Sequence, residues 1–345
     1  RSSNSSTHKK PMDDTRILLA HGNGGRLMRE LIADIFARHL GNPLLDTDAD
    51  AVTLPILDGE PMLTTDGFTV QPLEFPGGNL GSLAVHGVVN DLAVAGADPR
   101  YLTLSALIEE GLEVDVLDRL IASFAEAARE SGVAVVAGDT KVVRRGEGGG
   151  LYLSVAGLGV KRAQAKLAIE SIAAGDVVLV SGPVGDHGIA VMLAREQFGL
   201  SGELRSDSAS VLPLTRAVRD LPGLKFMRDP TRGGLATVAH EIARASGHSV
   251  ALDQNTVPLR PEVVSVCDML GYDPYFLACE GRVVAVADAS SGGDILSRWR
   301  ALPEGRAASI IGRIESGSGR VILETGLGGR RVLDELEDDP LPRIC

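Results

Sequence analysis

The stretch 79–97 (NLGSLAVHGVVNDLAVAGA) most constrains how this chain can fold. It is rich in alanine and valine and ends near a glycine, so it predicts a helix that is buried in the interior. Asn90 and Asp91 lie inside this apolar helix. A buried carboxylate is costly unless a charged partner meets it. The fold must therefore bury the helix and also bring a counter-charge to Asp91.

Length and composition narrow the class of protein. The 345 residues predict two domains, and a hydrophobic content of 44% is enough for packed cores. The 46 acidic and 34 basic residues give a net charge of −12, which argues against nucleic acid or an anionic membrane as the main partner. No apolar run approaches the roughly 20 residues of a membrane span. Without a recognisable secretion signal, we expect a soluble, cytoplasmic protein.

Strand-like and helix-like segments alternate through both halves of the chain, which predicts an α/β (α+β) fold with a seam near 160–175. The polar residues 1–15 predict a disordered leader. The predicted helices lie at 26–40, 80–97, 115–131, 188–197, 211–219 and 235–246. The predicted strands lie at 101–108, 133–137, 151–160, 176–181, 249–252, 282–287, 308–314 and 320–324.

Three further aspartates lie beside glycine or proline at the ends of strand-like runs. They are Asp66 in a turn-like TTDGF, Asp139 in AGDTK and Asp229 in MRDPTRGG. Magnesium prefers hard oxygen ligands and is commonly held by a few carboxylates together with substrate phosphates. Together with Asp91, these residues predict a magnesium–phosphate site. The alternative is that Asp66 and Asp229 are ordinary turn and cap residues.

Two glycine runs each precede a predicted helix. One contains Gly24 and Gly25, and the other, Arg232-Gly233-Gly234, opens the helix at 235–246. Glycines at this position let backbone N–H groups approach a phosphate at the helix N-terminus. Neither run is a Walker A loop, and a flexible turn is the alternative interpretation.

A lysine and a cysteine are candidates for chemistry. Lys141 directly follows the strand-end sequence GDT, where its ammonium would suit a phosphate oxygen or a proton transfer; a solvated lysine is the alternative. Cysteine occurs only at 267, 279 and 345 with no CxxC pair, which fits neither a disulfide scaffold nor a zinc knuckle. Cys345 follows Pro340 and Pro342, so we expect it on an extended, mobile segment suited to a carrier thiol. Cys267 and Cys279 lie in apolar runs and are expected to be buried.

Taken in order, TTDGFTV, NDLAVAGA, AGDTKVV and MRDPTRGG resemble the ATP-binding superfamily of aminoimidazole ribonucleotide synthetase and selenophosphate synthetase. Within it, HGNGGRL, ACEGRVVAVA and the terminal PRIC are similar to the HypE family of hydrogenase maturation factors. This resemblance covers roughly residues 16–345.

The resemblance implies a two-domain PurM-like fold. Its N-terminal, ATP-binding α/β domain (16–162) would pair with a second subunit as a homodimer around a β-barrel. An α+β domain (163–333) would cover the ATP, and a mobile tail (334–345) would carry Cys345.

The resemblance also implies a site and a reaction. Asp66, Asp91 and Asp229 would hold Mg²⁺ and ATP, and Lys141 and Glu280 would lie near a carbamoyl group on Cys345. ATP-dependent dehydration would turn the thiocarbamate into a thiocyanate, the source of cyanide for the iron of [NiFe]-hydrogenase. HypF would donate the carbamoyl group and a HypC–HypD complex would accept the cyanide. The other residues expected around the nucleotide are Asn90, Asp139, Thr140, Arg232, Gly233, Gly234, Gly24 and Gly25.

Two alternatives stay open at this point. One is another ATP-dependent enzyme of the superfamily, such as a selenophosphate synthetase, a thiamine-phosphate kinase or the purine-pathway cyclo-ligase. None of these explains a terminal thiol, and no cysteine precedes residue 267. The other alternative is a non-catalytic carrier or scaffold. For Glu280, a solvated position in a Cys-Glu-Gly turn is the competing interpretation.

Overall fold

The structure is a computed structural model that describes residues 15–161, 167–195 and 202–336. The predicted leader, apart from residue 15, lies outside these ranges, and so does Cys345. No helix in the described ranges is long and apolar enough to cross a bilayer.

The N-terminal half is built on a four-stranded sheet. Its strands lie in the order β1 (Glu60–Phe68), β6 (Leu151–Lys161), β4 (Ala97–Glu109) and β5 (Ala134–Val143). β4 and β5 are parallel, and the other neighbours are antiparallel. A helical run precedes this sheet as α1, a π-helical segment (Ile32–Ala37) and α2, within the predicted helix at 26–40. The elements of this half are α1 Arg26–Leu31, α2 Arg38–Leu40, β1 Glu60–Phe68, β2 Glu74–Phe75, β3 Gly78–Asn79, α3 Leu80–Val94, β4 Ala97–Glu109, α4 Val114–Ser131, β5 Ala134–Val143 and β6 Leu151–Lys161.

Helix α3, the apolar helix of the sequence, packs between the sheet and α4, and twelve of its fifteen residues are buried. The Asn79 side chain caps it by accepting a hydrogen bond from the Ser82 N–H (3.1 Å). Gly81 permits a close approach to α4, since a Cβ there would lie 2.0 Å from the Leu120 carbonyl oxygen. This packing fixes the position of Asp91 relative to β1.

The opposite face of the four-stranded sheet carries exposed apolar side chains. Leu63, Leu107 and Tyr152 are 74%, 37% and 40% exposed. Each lies on a different strand of the sheet, at positions that alternate with buried residues. Helices cover one face of this sheet, while its other face is open in the described chain.

The C-terminal half is built on a seven-stranded sheet. Its strands lie in the order β13 (Arg330–Val332), β12 (Val321–Glu324), β9 (Ser249–Asp253), β11 (Ser309–Glu315), β7 (Val177–Val180), β10 (Val284–Ala287) and β8 (Leu224–Arg228). β12 and β9 are parallel, and the remaining pairs are antiparallel. Its elements are β7 Val177–Val180, α5 Asp186–Ala194, α6 Leu212–Val218, β8 Leu224–Arg228, α7 Gly234–Ser246, β9 Ser249–Asp253, α8 Pro261–Leu270, β10 Val284–Ala287, α9 Ala289–Arg300, β11 Ser309–Glu315, β12 Val321–Glu324 and β13 Arg330–Val332.

The two halves are joined through Asn90, the neighbour of Asp91 on α3. Its amide Nδ2 donates to the carbonyl oxygens of Ala209 (3.0 Å) and Glu280 (3.3 Å), and its Oδ1 accepts from the Val211 N–H (2.8 Å). All these partners belong to the C-terminal half. Asn90 is 1% exposed, so it acts as a polar connection in the interior. It also brings the backbone of Glu280 against the helix that carries Asp91.

Three sequence expectations are corrected by the strands and helices. Asp66 and Gly67 lie inside β1, where Asp66 faces Val155, and form no turn. β5 continues to Val143, so Asp139 and Lys141 are strand residues and do not follow its end. Helices α8 and α9 were not predicted, because Pro261 and the Gly292-Gly293 pair obscure their patterns.

Candidate active site

A cavity of about 640 Å³ lies between the two halves of the chain. Three of the predicted acidic residues open onto it, one from a strand, one from a helix and one from a loop. Its lining is Thr65, Asp66, Asp91, Arg228, Asp229, Thr231, Arg232, Gly233, Thr237, Val238, Glu241 and Leu336. We call it the acidic cavity. The structure thus brings Asp66, Asp91 and Asp229 together with the Arg232-Gly233 turn.

Asp91 projects from α3 toward β1. Its Oδ2 accepts a hydrogen bond from the Thr64 hydroxyl (3.0 Å), and Thr64 shares a face of β1 with Asp66. Burial raises the pKa of Asp91 and the Asp66 carboxylate raises it further, while the Thr64 hydrogen bond opposes both. The nearby Arg228 also lowers this pKa, so the Asp91 carboxyl group is oriented by Thr64 and only partly compensated by positive charge.

Asp229 follows β8 and is 6% exposed. Burial and the nearby Asp91 raise its pKa to about 7. The neighbouring Arg228 lines the cavity but forms an ion pair with Glu241 (3.4 Å). The charged form of Asp229 is therefore disfavoured, and a cation that enters the cavity would stabilise it.

Glu280 is 5% exposed, so its interpretation as a solvated turn residue is wrong. Its backbone N–H donates to Asp207 Oδ1 (3.1 Å) and its carbonyl accepts from Asn90. Burial raises the pKa of Glu280 well above its usual range, and Asp207, Asp229, Asp66 and Asp91 raise it further. Glu280 is therefore a further buried carboxyl group that interacts with Asp66, Asp91 and Asp229 of the acidic cavity.

The Arg232-Gly233-Gly234 turn carries the chain into α7, whose N-terminal turn borders the acidic cavity. Gly233 and Gly234 adopt φ angles of +73° and +60°, which other residues rarely adopt. A Cβ at Gly234 would lie 2.5 Å from the Leu277 carbonyl oxygen. The glycines are thus required by the fold. The Gly234 N–H donates to the Thr231 carbonyl oxygen (3.0 Å), and the N-terminus of α7 borders the cavity, where its dipole favours an anion.

Asp139 and Lys141 lie far from the acidic cavity within this chain. Cross-strand register aligns Asp66 with Val155, Leu104 and Gly138, so three strand spacings, roughly 14 Å, separate β1 from β5. The faces differ as well. Asp66 lies on the face that α3 covers, whereas Lys141 aligns with the exposed Leu107 on the open face. The predicted site is therefore divided between opposite edges and faces of one sheet.

A second cavity, of about 370 Å³, lies beside β5. Gly138, Asp139 and Thr140 line it together with apolar residues of α1 and of the segment before β1, such as Met28 and Val52. The Thr140 hydroxyl is buried and has no hydrogen-bond partner in the described chain. We call this cavity the β5 cavity.

The glycine run that contains Gly24 and Gly25 lies next to β5 and not beside the acidic cavity. A Cβ on the preceding Gly22 would lie 2.9 Å from Cβ of Val142 on β5. Gly24 has a φ angle of +73°, and a Cβ at Gly24 or Gly25 would meet nothing within 4 Å. The predicted glycine runs thus belong to two separate regions of the chain.

The two cysteines that the structure describes are buried, as the sequence predicts. Cys267 and Cys279 are buried and free. Burial raises the pKa of Cys267 to about 12 and that of Cys279 well above its usual value. Cys345 lies outside the described residues. Leu336, the last described residue, is part of the acidic cavity wall.

Several contributors to this site were not found from the sequence. The spacing of the sequence could have pointed to two of them. Thr64 lies two residues before Asp66 on the same face of the strand, and Glu241 lies one helical turn after Thr237. Asp207 had none, because its loop reaches Glu280 only through the tertiary fold.

Comparison with known proteins identifies the class. Residues 48–161 match the N-terminal domain, and residues 173–324 the C-terminal domain, of AIR synthase related protein. Thiamine monophosphate kinase from Aquifex aeolicus, at 20% identity and a TM-score of 0.60, shares the fold. The chain thus has the two-domain, PurM-like architecture that the sequence predicts.

Closer relatives identify the family. Carbamoyl dehydratase HypE of Azotobacter vinelandii is 42% identical over 329 residues, covering 95% of this chain and 96% of that protein. HypE of Escherichia coli K12 is also 42% identical, with 95% and 99% coverage. A crystal structure of HypE in complex with ATP aligns with a TM-score of 0.90 at 41% identity, covering 95% of this chain and 99% of that one. The chain belongs to the HypE family of carbamoyl dehydratases in hydrogenase maturation, so the predicted resemblance is confirmed and the two alternatives are not favoured.

The pKa of Asp229 predicts how stability depends on pH. Because the folded-state value of about 7 lies above the ordinary 3.8, the folded chain holds this proton more tightly than the unfolded chain does. The contribution to stability is complete below about pH 4 and is lost as the pH rises toward 7. Thermal melting in EDTA across this window should show a declining Tm that flattens in Asp229→Asn. The exposed Asp294→Asn is the control, and an unchanged slope in Asp229→Asn would contradict the assignment.

Proposed function

We propose that this chain uses ATP to dehydrate a carbamoyl group carried as a thiocarbamate on its own Cys345, giving a thiocyanate for the iron of [NiFe]-hydrogenase. The observation that carries this proposal is the position of Leu336. This residue lines the acidic cavity, and only the nine residues 337–345 separate it from the Cys345 end. Fully extended, such a segment spans about 30 Å. The thiol can therefore reach the cavity.

The acidic cavity carries both kinds of group that ATP requires, one kind for its phosphates and one kind for a bound cation. The Arg232 side chain would supply positive charge and hydrogen-bond donors for phosphate oxygens, and the dipole at the N-terminus of α7 would favour their negative charge. The carboxylates of Asp66, Asp91 and Asp229 lie on the same wall and need a cation between them and the phosphates. The family relative that has been crystallised with ATP supports this assignment.

Magnesium is the cation that suits these oxygen ligands. In the described part of the chain, no three acidic, histidine or cysteine side chains are arranged to hold a metal ion by themselves. Mg²⁺ is usually held by one or two carboxylates together with phosphate oxygens and water, so the phosphates of ATP would supply the remaining ligands. When bound, Mg²⁺ would neutralise phosphate charge and offset the raised pKa values of Asp91 and Asp229.

The reaction has to convert an oxygen that cannot leave as oxide into a leaving group. The thiocarbamate oxygen of S–C(=O)–NH2 attacks the γ-phosphoryl group of ATP, ADP departs, and one N–H proton is lost. Inorganic phosphate then leaves from carbon as the second N–H proton is removed, and S–C≡N forms. Such a transfer requires mainly positioning and charge neutralisation, which the cavity wall supplies.

Glu280 and Lys141 are the proposed groups around the carbamoyl. Burial is the main cause of the raised pKa of Glu280 and the neighbouring carboxylates add to it, so its deprotonated form would be a strong base near the acidic cavity. Lys141 would orient or polarise the carbamoyl oxygen. Because Lys141 lies on the far edge of the sheet, this role requires a second copy of the chain.

A homodimer would reunite the divided site. The open face of the four-stranded sheet carries Leu63, Leu107 and Tyr152, an apolar surface suited to a second sheet. Asp139 and Lys141 lie on that same face. In a two-fold dimer, the β5 edge of one subunit would complete the acidic cavity of the other, and the β5 cavity would be available to the nucleotide base.

Two protein partners follow from the proposed reaction. The carbamoyl group must come from a donor, and HypF is the candidate because a HypE–HypF complex aligns with this chain at a TM-score of 0.78 and 39% identity. A HypC–HypD iron complex is the proposed acceptor of cyanide. Both require Cys345 outside the cavity, so the segment 337–345 has to move between two positions.

The mass of the chain tests the proposed reaction. The full chain, carbamoylated at Cys345, should lose about 18 Da on incubation with Mg²⁺ and ATP, because one water is removed from S–C(=O)–NH2. Cys345→Ala should show no such loss while binding ATP as tightly as the unaltered chain. Persistence of the carbamoylated mass with ATP unconsumed would contradict the reaction and favour a scaffold role.

Mixing two inactive variants tests the divided site. Asp91→Asn and Asp139→Asn should each abolish dehydration, because each damages every site of its own homodimer. After subunit exchange, about a quarter of all sites should combine intact groups from both chains and restore activity to that extent. Differently tagged subunits that co-purify after mixing prove that exchange occurred. Complete exchange without recovered activity would place both groups in one chain's site.

A further inference from the structure

The described end of the chain lies along helix α7, close to the acidic cavity. Nε2–H of His240 donates a hydrogen bond to the Leu333 carbonyl oxygen (2.9 Å), and the exposed Arg244 pairs with Glu335 (3.3 Å). His240 and Arg244 are one helical turn apart, so they form one stripe of α7. We call this stripe, with the segment 333–336 lying on it, the tail seat.

The near end of the tail seat is fixed to the core. Leu333 is 1% exposed and belongs to the cluster around Leu235, Ile242 and Leu323. Its N–H donates to the Val321 carbonyl oxygen (3.0 Å). Leu333 is therefore part of the fold and fixes the point at which the following segment begins.

The far end of the tail seat opens into the acidic cavity. Leu336 lines the cavity wall together with Thr237, Val238 and Glu241, three residues of the same helix. The helix that begins at the phosphate-binding turn thus also carries the last described residues of the chain. A single rigid element sets the distance between Leu333 and the Arg232-Gly233 turn.

From these contacts we propose that His240 and Arg244 are positioning residues, which hold segment 333–336 on α7 so that Cys345 enters the acidic cavity from a fixed point and direction. This inference rests on the proposed function, because it assumes that Cys345 carries the reacting group. A flexible chain of nine residues, the length of 337–345, has a root-mean-square end-to-end distance of roughly 15–18 Å. The seat thereby keeps the thiol at a high effective concentration in the cavity.

The test compares delivery from the chain's own tail with delivery from a separate peptide. In the first arm, the full chain is carbamoylated with cyanate at mildly acidic pH, where amines are protonated, and the 18 Da loss is followed in a single turnover. Burial protects Cys267 and Cys279 from this reagent. In the second arm, a chain ending at Leu336 acts on an S-carbamoylated peptide with the sequence of residues 337–345.

His240→Ala combined with Arg244→Ala should slow the first arm about 1.5-fold, because freeing residues 334–336 lengthens the tether from nine to about twelve residues, and should leave the second arm and ATP affinity unchanged. His248→Ala, which follows the end of α7, is the matched control and should change neither arm. An unchanged first arm would overturn the proposal. An equal loss in both arms would also overturn it, because it would indicate a general structural role.

A second variant avoids any loss of folding. Six Gly-Ser residues inserted after Leu336 disturb no described contact, and the longer tether should slow the first arm about twofold while the second arm stays the same. A rate that does not fall would contradict a tethered delivery. If the unaltered chain shows no mass loss in either arm, the proposed function itself fails, and that outcome is distinct from the failure of the tail seat alone.

Discussion

The crowding of carboxyl groups at the junction of the two halves is the constraint on which the site depends. Burial raises the pKa values of Asp91 and Asp229, the Asp66 carboxylate raises both further, and Asp91 adds to the effect on Asp229. Glu280 lies in the same field. The Arg228 guanidinium nearby is paired with Glu241. A protein retains such an arrangement at a cost to its stability, since like charges held together oppose folding. A cation and an anion that enter together relieve that cost.

The rest of the structure serves to hold these groups in place. Helix α3 is apolar on all sides and packs closely on α4 through Gly81, so Asp91 cannot move away from β1. Asn90 ties the same helix to the backbone of Glu280. Helix α7 presents its first turn to the cavity and carries the end of the described chain along its side. The groups proposed for catalysis, phosphate binding and positioning of the tail thus lie on or against two helices, α3 and α7.

Much of this could be predicted from the sequence, and the exceptions have physical reasons. The apolar composition of 79–97 predicted α3, and glycine or proline beside acidic residues singled out Asp66, Asp139 and Asp229. The same neighbours misled in detail, because Asp66-Gly67 resembles a turn yet pairs with β6 as a strand. The division of the site could not be predicted, since it depends on the order and register of four strands. The burial of Glu280 depends on contacts with distant segments, which local sequence does not record.

Calorimetric titration of the chain with ATP, in the presence of Mg²⁺ and again in EDTA, measures directly whether the crowded carboxylates require a cation. If the crowded carboxylates require a cation to accept the nucleotide, ATP should bind with measurable affinity in Mg²⁺ and lose that affinity in EDTA. The Asp229→Asn chain, with one carboxylate fewer, should depend less on the cation. Equal affinity of the unaltered chain with and without Mg²⁺ would contradict the account.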